Sequence, residues 1–174
     1  MPVISLEAVA GPETHDKPIL WRLGKLFGVV TNIQRARVTD DYAFLALSIE
    51  GSAGELERAK AYLRSLHILR DGKPAEPLDE ETPEQDVTVS AVVDVHIATV
   101  NPQQAHSPIL YRLGKDFNVV VNLNRAAFDE QEGGSVDITI SGPLSEVQRA
   151  IAYLHTTGVN VNPLQRSVTD RSNL

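Results

Sequence analysis

The sequence predicts an α+β fold: two copies of one βαββαβ sandwich, each an antiparallel sheet with two helices on one face. Two observations carry that prediction. A long segment recurs at near-constant spacing, and within each copy the apolar pattern switches between period two and helical spacing. Pro18-Ile19-Leu20-Trp21-Arg22-Leu23-Gly24-Lys25-Leu26-Phe27 returns as Pro108-Ile109-Leu110-Tyr111-Arg112-Leu113-Gly114-Lys115-Asp116-Phe117, 90 residues on. Val29-Val30-Thr31-Asn32 matches Val119-Val120-Val121-Asn122 at the same spacing, and Arg35-Ala36 matches Arg125-Ala126. Past a loop near Asp40 the spacing becomes 91: Gly51 matches Gly142, Glu55 matches Glu146, and Ala61-Tyr62-Leu63 matches Ala152-Tyr153-Leu154. One added loop residue is what a duplicated domain tolerates.

Each copy opens with a Val- and Ile-rich strand, Val3–Ala10 or Val92–Val100, followed by a loop holding Pro12 or Pro102. The first helix starts near Pro18 or Pro108, because proline's fixed φ suits the first turn and its missing N–H loses nothing there. Ser107 is a suitable N-cap for the second copy, and Asp16 is placed to cap the first. Ile19, Leu20, Leu23 and Phe27 form a stripe at helical spacing, repeated by Ile109, Leu110, Leu113 and Phe117. Gly24 and Gly114 sit mid-helix at a cost of about 1 kcal/mol relative to Ala, which points to close packing of the helix on the sheet. The second strand covers Val29–Val38 and the third Tyr42–Glu50, where Leu45, Leu47 and Ile49 alternate with Phe44, Ala46 and Ser48. Period two with one polar face means a sheet covered on one side. A second helix follows Gly51-Ser52 or Gly142-Pro143, and a short strand closes each copy, His67–Leu69 or Val159–Val161. That order is the ferredoxin-like sandwich.

The expected organisation is therefore a first unit over residues 1–70, a linker over 71–86, a second unit over 87–163 and a polar tail over 164–174. Net charge is −7, but the linker alone carries seven Asp/Glu against one Lys. Residues 1–70 hold nine Lys/Arg against eight Asp/Glu, and residues 87–174 hold six against eight. Neither unit concentrates the basic charge that phosphate neutralisation needs, so nucleic acid is not an expected partner. The linker, with Pro74, Pro77 and Pro83 among its acids, reads as extended and solvated. No apolar run approaches the ~20 residues that span a bilayer, so no membrane partner is expected. The N-terminal residues lack the basic region and long apolar run of a secretory signal, and the expected location is the cytoplasm.

Catalytic chemistry is sparsely represented. The chain has no cysteine, which removes thiol catalysis, disulfides, cysteine-ligated zinc and iron–sulfur ligation. Gly24-Lys25 and Gly114-Lys115 lie inside helices without the preceding loop of a phosphate-binding motif, and no H-E-x-x-H pattern occurs. His15 and His106 both fall in the loop before the first helix and could help hold a polar ligand. A metal would need three or four convergent ligands, which are not evident. Neither an enzyme, a metal nor a cofactor is expected.

The repeated segments resemble the NIL domain. Pro-Ile-Leu-x-Arg-Leu, Val-Val-x-Asn-Ile/Leu, Ser-Ile-Glu-Gly or Thr-Ile-Ser-Gly, and Arg-Ala-x-Ala-Tyr-Leu carry the resemblance, in the same order in both copies. The family's Asn-Ile-Leu motif reads here Asn32-Ile33-Gln34 and Asn122-Leu123-Asn124, polar at the third position in both. The resemblance implies an ACT-like fold and a small-molecule site, as in the regulatory C-terminus of methionine-importer ATPase subunits, where paired domains bind methionine at their interface. It implies Asn32 and Ile33, with Asn122 and Leu123, as ligand contacts. In a βαββαβ unit the N-terminus of the first helix has unpaired N–H groups and partial positive charge, suited to a carboxylate, and an Asn side chain offers both a donor and an acceptor to an amino acid's polar head.

The expected function is thus a regulatory or sensing protein that binds an amino acid, with a methionine-like ligand implied by the resemblance. The alternative is a docking module for an enzyme of sulfur metabolism.

A unit of about 70 residues buries only roughly 60% of its unfolded surface and is marginal alone. The bare sheet faces are expected to find a mate, in the twin unit or in a second chain through the sheets. Each half expressed separately should melt below the full chain, in thermal denaturation followed by circular dichroism. Two separate halves that were stable monomers with unchanged melting would contradict the mutual packing.

Overall fold

The computed structural model describes residues 2–11, 18–70, 87–99 and 108–166. The first half runs β1 (Val3–Ala10), α1 (Ile19–Leu26), β2 (Val29–Val38), β3 (Ala43–Gly51) and α2 (Ala53–Ser65). The second runs β4 (Ala91–Ala98), α3 (Ile109–Asp116), β5 (Val120–Asp129), β6 (Gly133–Gly142), α4 (Leu144–Thr156) and β7 (Asn160–Arg166). The closing strand of the first half is reduced to a bridge from Leu69 to Ala8, held by the Val9 N–H to Ile68 O bond at 2.8 Å. Its counterpart β7 is longer, running to Arg166 along β4. Residues 164–166, read from the sequence as the start of a polar tail, are therefore strand. The open edge of β4 at Val92–Asp94 gives them a ladder to join, and Pro163 fits because β7 is an edge strand.

All seven strands form one sheet in the order β1-β3-β2-β5-β6-β4-β7. The halves do pack together, but not face to face. They meet edge to edge, β2 antiparallel to β5, pairing Arg35 with Asp129, Ala36 with Phe128, Arg37 with Ala127 and Val38 with Ala126. Arg37 and Ala127 occupy matching places in the repeat, so a pseudo-twofold axis passes between them. A bulge interrupts the register at Gln34 in β2 and again at Asn124 in β5. Bulges bend and twist the bulged strand. Here each separates a stretch paired on one side only from the stretch that joins the halves.

Edge joining sets the second faces of both halves on one side of the sheet, and many residues there are polar. Ser5, Glu7, Arg35, Arg37, Arg125 and His96 lie on it, several joined by cross-strand bonds. Asn124 Nδ2 donates to Thr139 Oγ1 at 2.6 Å, and that hydroxyl donates to Asp94 Oδ1 at 2.8 Å. Val30, Phe44, Val92 and Val120 place apolar area among these polar residues, but once joined in one sheet the two open faces lie side by side and cannot stack on each other.

On the other face the core is continuous across both halves. Leu23, Leu47, Ile49 and Leu63 of the first half, and Leu113, Ile138, Ile140 and Leu154 of the second, are fully buried. Ser52 caps α2, its hydroxyl accepting from Glu55 N at 3.3 Å. Pro143 leaves α4 without such a side chain; instead Leu144 N donates to the Ser90 hydroxyl at 3.0 Å.

Helices α1 and α3 pack on each other, and each also touches the other half's central strand. This contact explains Gly24 and Gly114, which the sequence had suggested serve helix–sheet packing. A Cβ on Gly24 would stand 3.2 Å from Tyr111 Cδ1, and one on Gly114 only 2.8 Å from Trp21 Cδ1. Each helix lays its aromatic on the other's glycine. Trp21 is further pinned by its indole N–H, which donates to Val119 O at 2.6 Å. One turn on, Lys25 lies 5.9 Å from the Trp21 ring centre. Burial, and after it the charge of Lys115, hold the Lys25 ammonium below its ordinary 10.5.

Two expectations follow from the helix pair. Gly114→Ala gains helix propensity of about 1 kcal/mol, but overpacking against a pinned indole costs roughly 1–3 kcal/mol, for a net loss of stability. Gly24→Ala, meeting a ring edge at a looser distance, should come out close to neutral; urea denaturation of both variants decides this. For Lys25, the folded state releases its proton at lower pH than the unfolded state. Stability from this group therefore rises with pH between the lowered folded value and 10.5, because the unfolded state binds more protons there. Lys115→Gln should move the Lys25 titration, followed by NMR, back toward its ordinary value.

Candidate functional site

The pseudo-symmetry creates two clefts between the helix layer and the sheet, each built from both halves. The first lies where the opening turn of α3, Pro108 to Tyr111, faces Thr31, Asn32 and Ile33 of β2. Leu20 from α1, Ile97, Phe128, Val136 and Val159 complete its apolar wall, with Thr99, Gly134 and Ser135 at the rim. Its cavity volume is about 60 Å³, a small recess that opens to solvent. The second faces the opening turn of α1 and is lined by Ala8, Ala10, Val38, Leu45, Ile68, Val121 and Leu123, among others.

The strand register decides which side chains enter. Thr31 pairs with Ile49 and Ile33 with Leu47, both partners fully buried on the helix side. Thr31 and Ile33 therefore point into the cleft. Asn32 pairs with Ser48, which alternates with those core residues, so its side chain turns to the open face and its main chain borders the cleft. In the same way Leu123 lines the second cleft, while Asn122 pairs with Thr139 and donates to Asn124 Oδ1 at 3.5 Å on the open face. Directly opposite residues of an antiparallel pair share a face. The asparagines of the motif are thus separated from the aliphatic residues beside them. His15 and His106 lie outside the described residues.

Polar character enters the first cleft at three places. Thr31 is the single buried polar residue among those described, 4% exposed, and its hydroxyl makes no hydrogen bond among the described residues. Thr99 sits at the rim, its hydroxyl accepting from Gly134 N at 2.9 Å. Gly134 and Gly133, at φ of 141° and 82°, allow the β5–β6 hairpin to turn this close to Thr99, where L side chains are strained. The third is the first turn of α3, which has no side-chain cap bond among the described residues and no acidic residue. Its leading N–H groups carry partial positive charge toward the cleft. Among the described residues no Asp, Glu, His, Lys or Arg lines this cleft. Among the described residues no cluster of three or more metal-ligating side chains occurs, and no helix is long and apolar enough to cross a membrane.

Leu20 and Leu110, read from the sequence as core, border both clefts. Thr31 escaped sequence reasoning because it belongs to an apolar run, Val29-Val30-Thr31. The one available signal was its replacement by Val121 in the other copy.

Comparison with curated proteins gives no significant match. Among solved structures, a candidate glycine cleavage system transcriptional repressor aligns over 95% of this chain and 97% of its own, at 16% identity and a TM-score of 0.36. The acetolactate synthase small subunit from Thermotoga maritima aligns over 95% and 98%, at 17% identity and a TM-score of 0.26. Overlays this loose carry no weight for function. The NIL domain model matches residues 9–69 and 98–163. With well over half of its length matched, the chain belongs to the NIL domain family.

Proposed function

We propose that the protein is a non-catalytic regulatory or sensing module, ACT-like in its paired sandwiches, that binds a small amino acid in the cleft between α3 and β2. One observation carries the reading: an apolar chamber ends at an uncapped helix start and a buried hydroxyl. An amino acid with an apolar side chain has the complementary parts. Its carboxylate suits the leading N–H groups of α3, its side chain the Leu20, Ile97, Phe128 and Val136 walls. A methionine-like thioether fits such walls because it is unbranched and polarizable. Thr31 and main-chain carbonyls remain for the ammonium. The described lining offers apolar walls and hydroxyls and no charged side chain, which favours holding a ligand over acid–base catalysis.

A thermal-shift screen of the amino acids and simple thioethers should show stabilisation by methionine or a close analogue. At a hundredfold excess over Kd the added stability is about 2.7 kcal/mol. Ile33→Glu should abolish the shift. Asn32→Ala, whose side chain faces away, should retain most of it. A screen without any shift, or equal loss in both variants, would count against this site.

A further inference from the structure

We propose that only one of the two pseudo-equivalent clefts takes a ligand, and that Thr31 against Val121 decides which. This rests on the reading of the first cleft as an amino-acid site. The repeat makes the clefts counterparts residue by residue, yet their linings have diverged in one direction. Thr31 corresponds to Val121 and Ile33 to Leu123 at the 90-residue spacing. Thr99 corresponds to Ala10, since Ala10 pairs with Ala43 as Thr99 bonds to Gly134.

Among the described residues the second cleft therefore has no side-chain hydroxyl. Its one polar side-chain group, the Trp21 indole N–H, is already committed to Val119 O. It is also tighter: the space open to the centre of a water molecule is about 30 Å³, against about 60 Å³ in the first. A polar head group entering the second cleft would leave its water bonds without replacement, a large penalty in an apolar site. In the first, Thr31 is buried and carries a hydroxyl that the described residues leave without a hydrogen bond. That hydroxyl opens to the cleft, where water or a ligand's polar head can bond it. The structure thus assigns binding to one cleft and core-filling to the other.

Isothermal titration of the full chain with L-methionine, on wild type, Thr31→Val and Val121→Thr, tests this. The expected result is one equivalent per chain, affinity reduced about tenfold or more in Thr31→Val, and little change in Val121→Thr. Melting of the same variants without ligand adds an independent reading. Thr31→Val should melt at or above wild type, because the lost hydroxyl makes no bond to the described residues, and Val121→Thr below it. Two equivalents per chain would overturn this inference and leave the ligand reading intact. A flat titration would overturn both. A marked loss of melting temperature in Thr31→Val would show that its hydroxyl serves the fold, and would overturn the inference alone.

Discussion

The antiparallel pairing of β2 with β5 is the contact from which the other features follow. It turns two small sheets into one and removes the strand edge that each half would otherwise expose at its centre. Four residue pairs make the seam, and the bulges at Gln34 and Asn124 set where it begins. Beyond each bulge a strand pairs on both sides; before it, the strand pairs on one side and borders a cleft. The hydrogen bond from Glu130 N to Gln34 O at 2.7 Å ties one bulge to the partner half's hairpin. At the other end, Arg125 reaches Asp40 at 3.1 Å, an exposed ion pair of the kind that adds little stability. The seam is held mainly by its ladder and by the side chains beneath it.

Joining the sheets fixes what the helices can do. Once β2 and β5 are neighbours, α1 and α3 lie side by side above them and need a close approach. Gly24 and Gly114 allow it, and Trp21 and Tyr111 fill the space on opposite sides of the pseudo-axis. The same geometry leaves a gap under each helix start that the described side chains do not fill. The clefts are consequences of the pairing. Neither half contains one by itself, because Thr31, Ile33 and Leu20 come from one half and Leu110, Ile97 and Phe128 from the other.

Duplication makes the two gaps equivalent at first, and substitution then separates them. Val121, Ala10 and Trp21 give one gap a fully apolar lining with its indole anchored. Thr31 and Thr99 leave the other polar at one wall and at its rim. The open face has diverged too: Val30 is 38% exposed while its counterpart Val120 is 6% exposed. Symmetry of fold with asymmetry of lining is open to a single chain and closed to a homodimer, whose two sites must be identical in sequence.

The sequence by itself determined the repeat, the order of the elements and the neutral character of both units around an acidic linker. These follow from local pattern: period two in Leu45, Leu47 and Ile49, helical spacing in Ile19, Leu23 and Phe27, and proline at the helix starts. It also brought Asn32 and Ile33 to attention, but could not say which of the two turns inward. That depends on register, and a one-residue change of register exchanges the faces. Tertiary structure alone decided that the halves meet by edges, that the mid-helix glycines serve a helix–helix contact, and that Thr31 sits in a cleft. Each is a relation between residues about 90 positions apart, and local periodicity holds no information about partners at that distance.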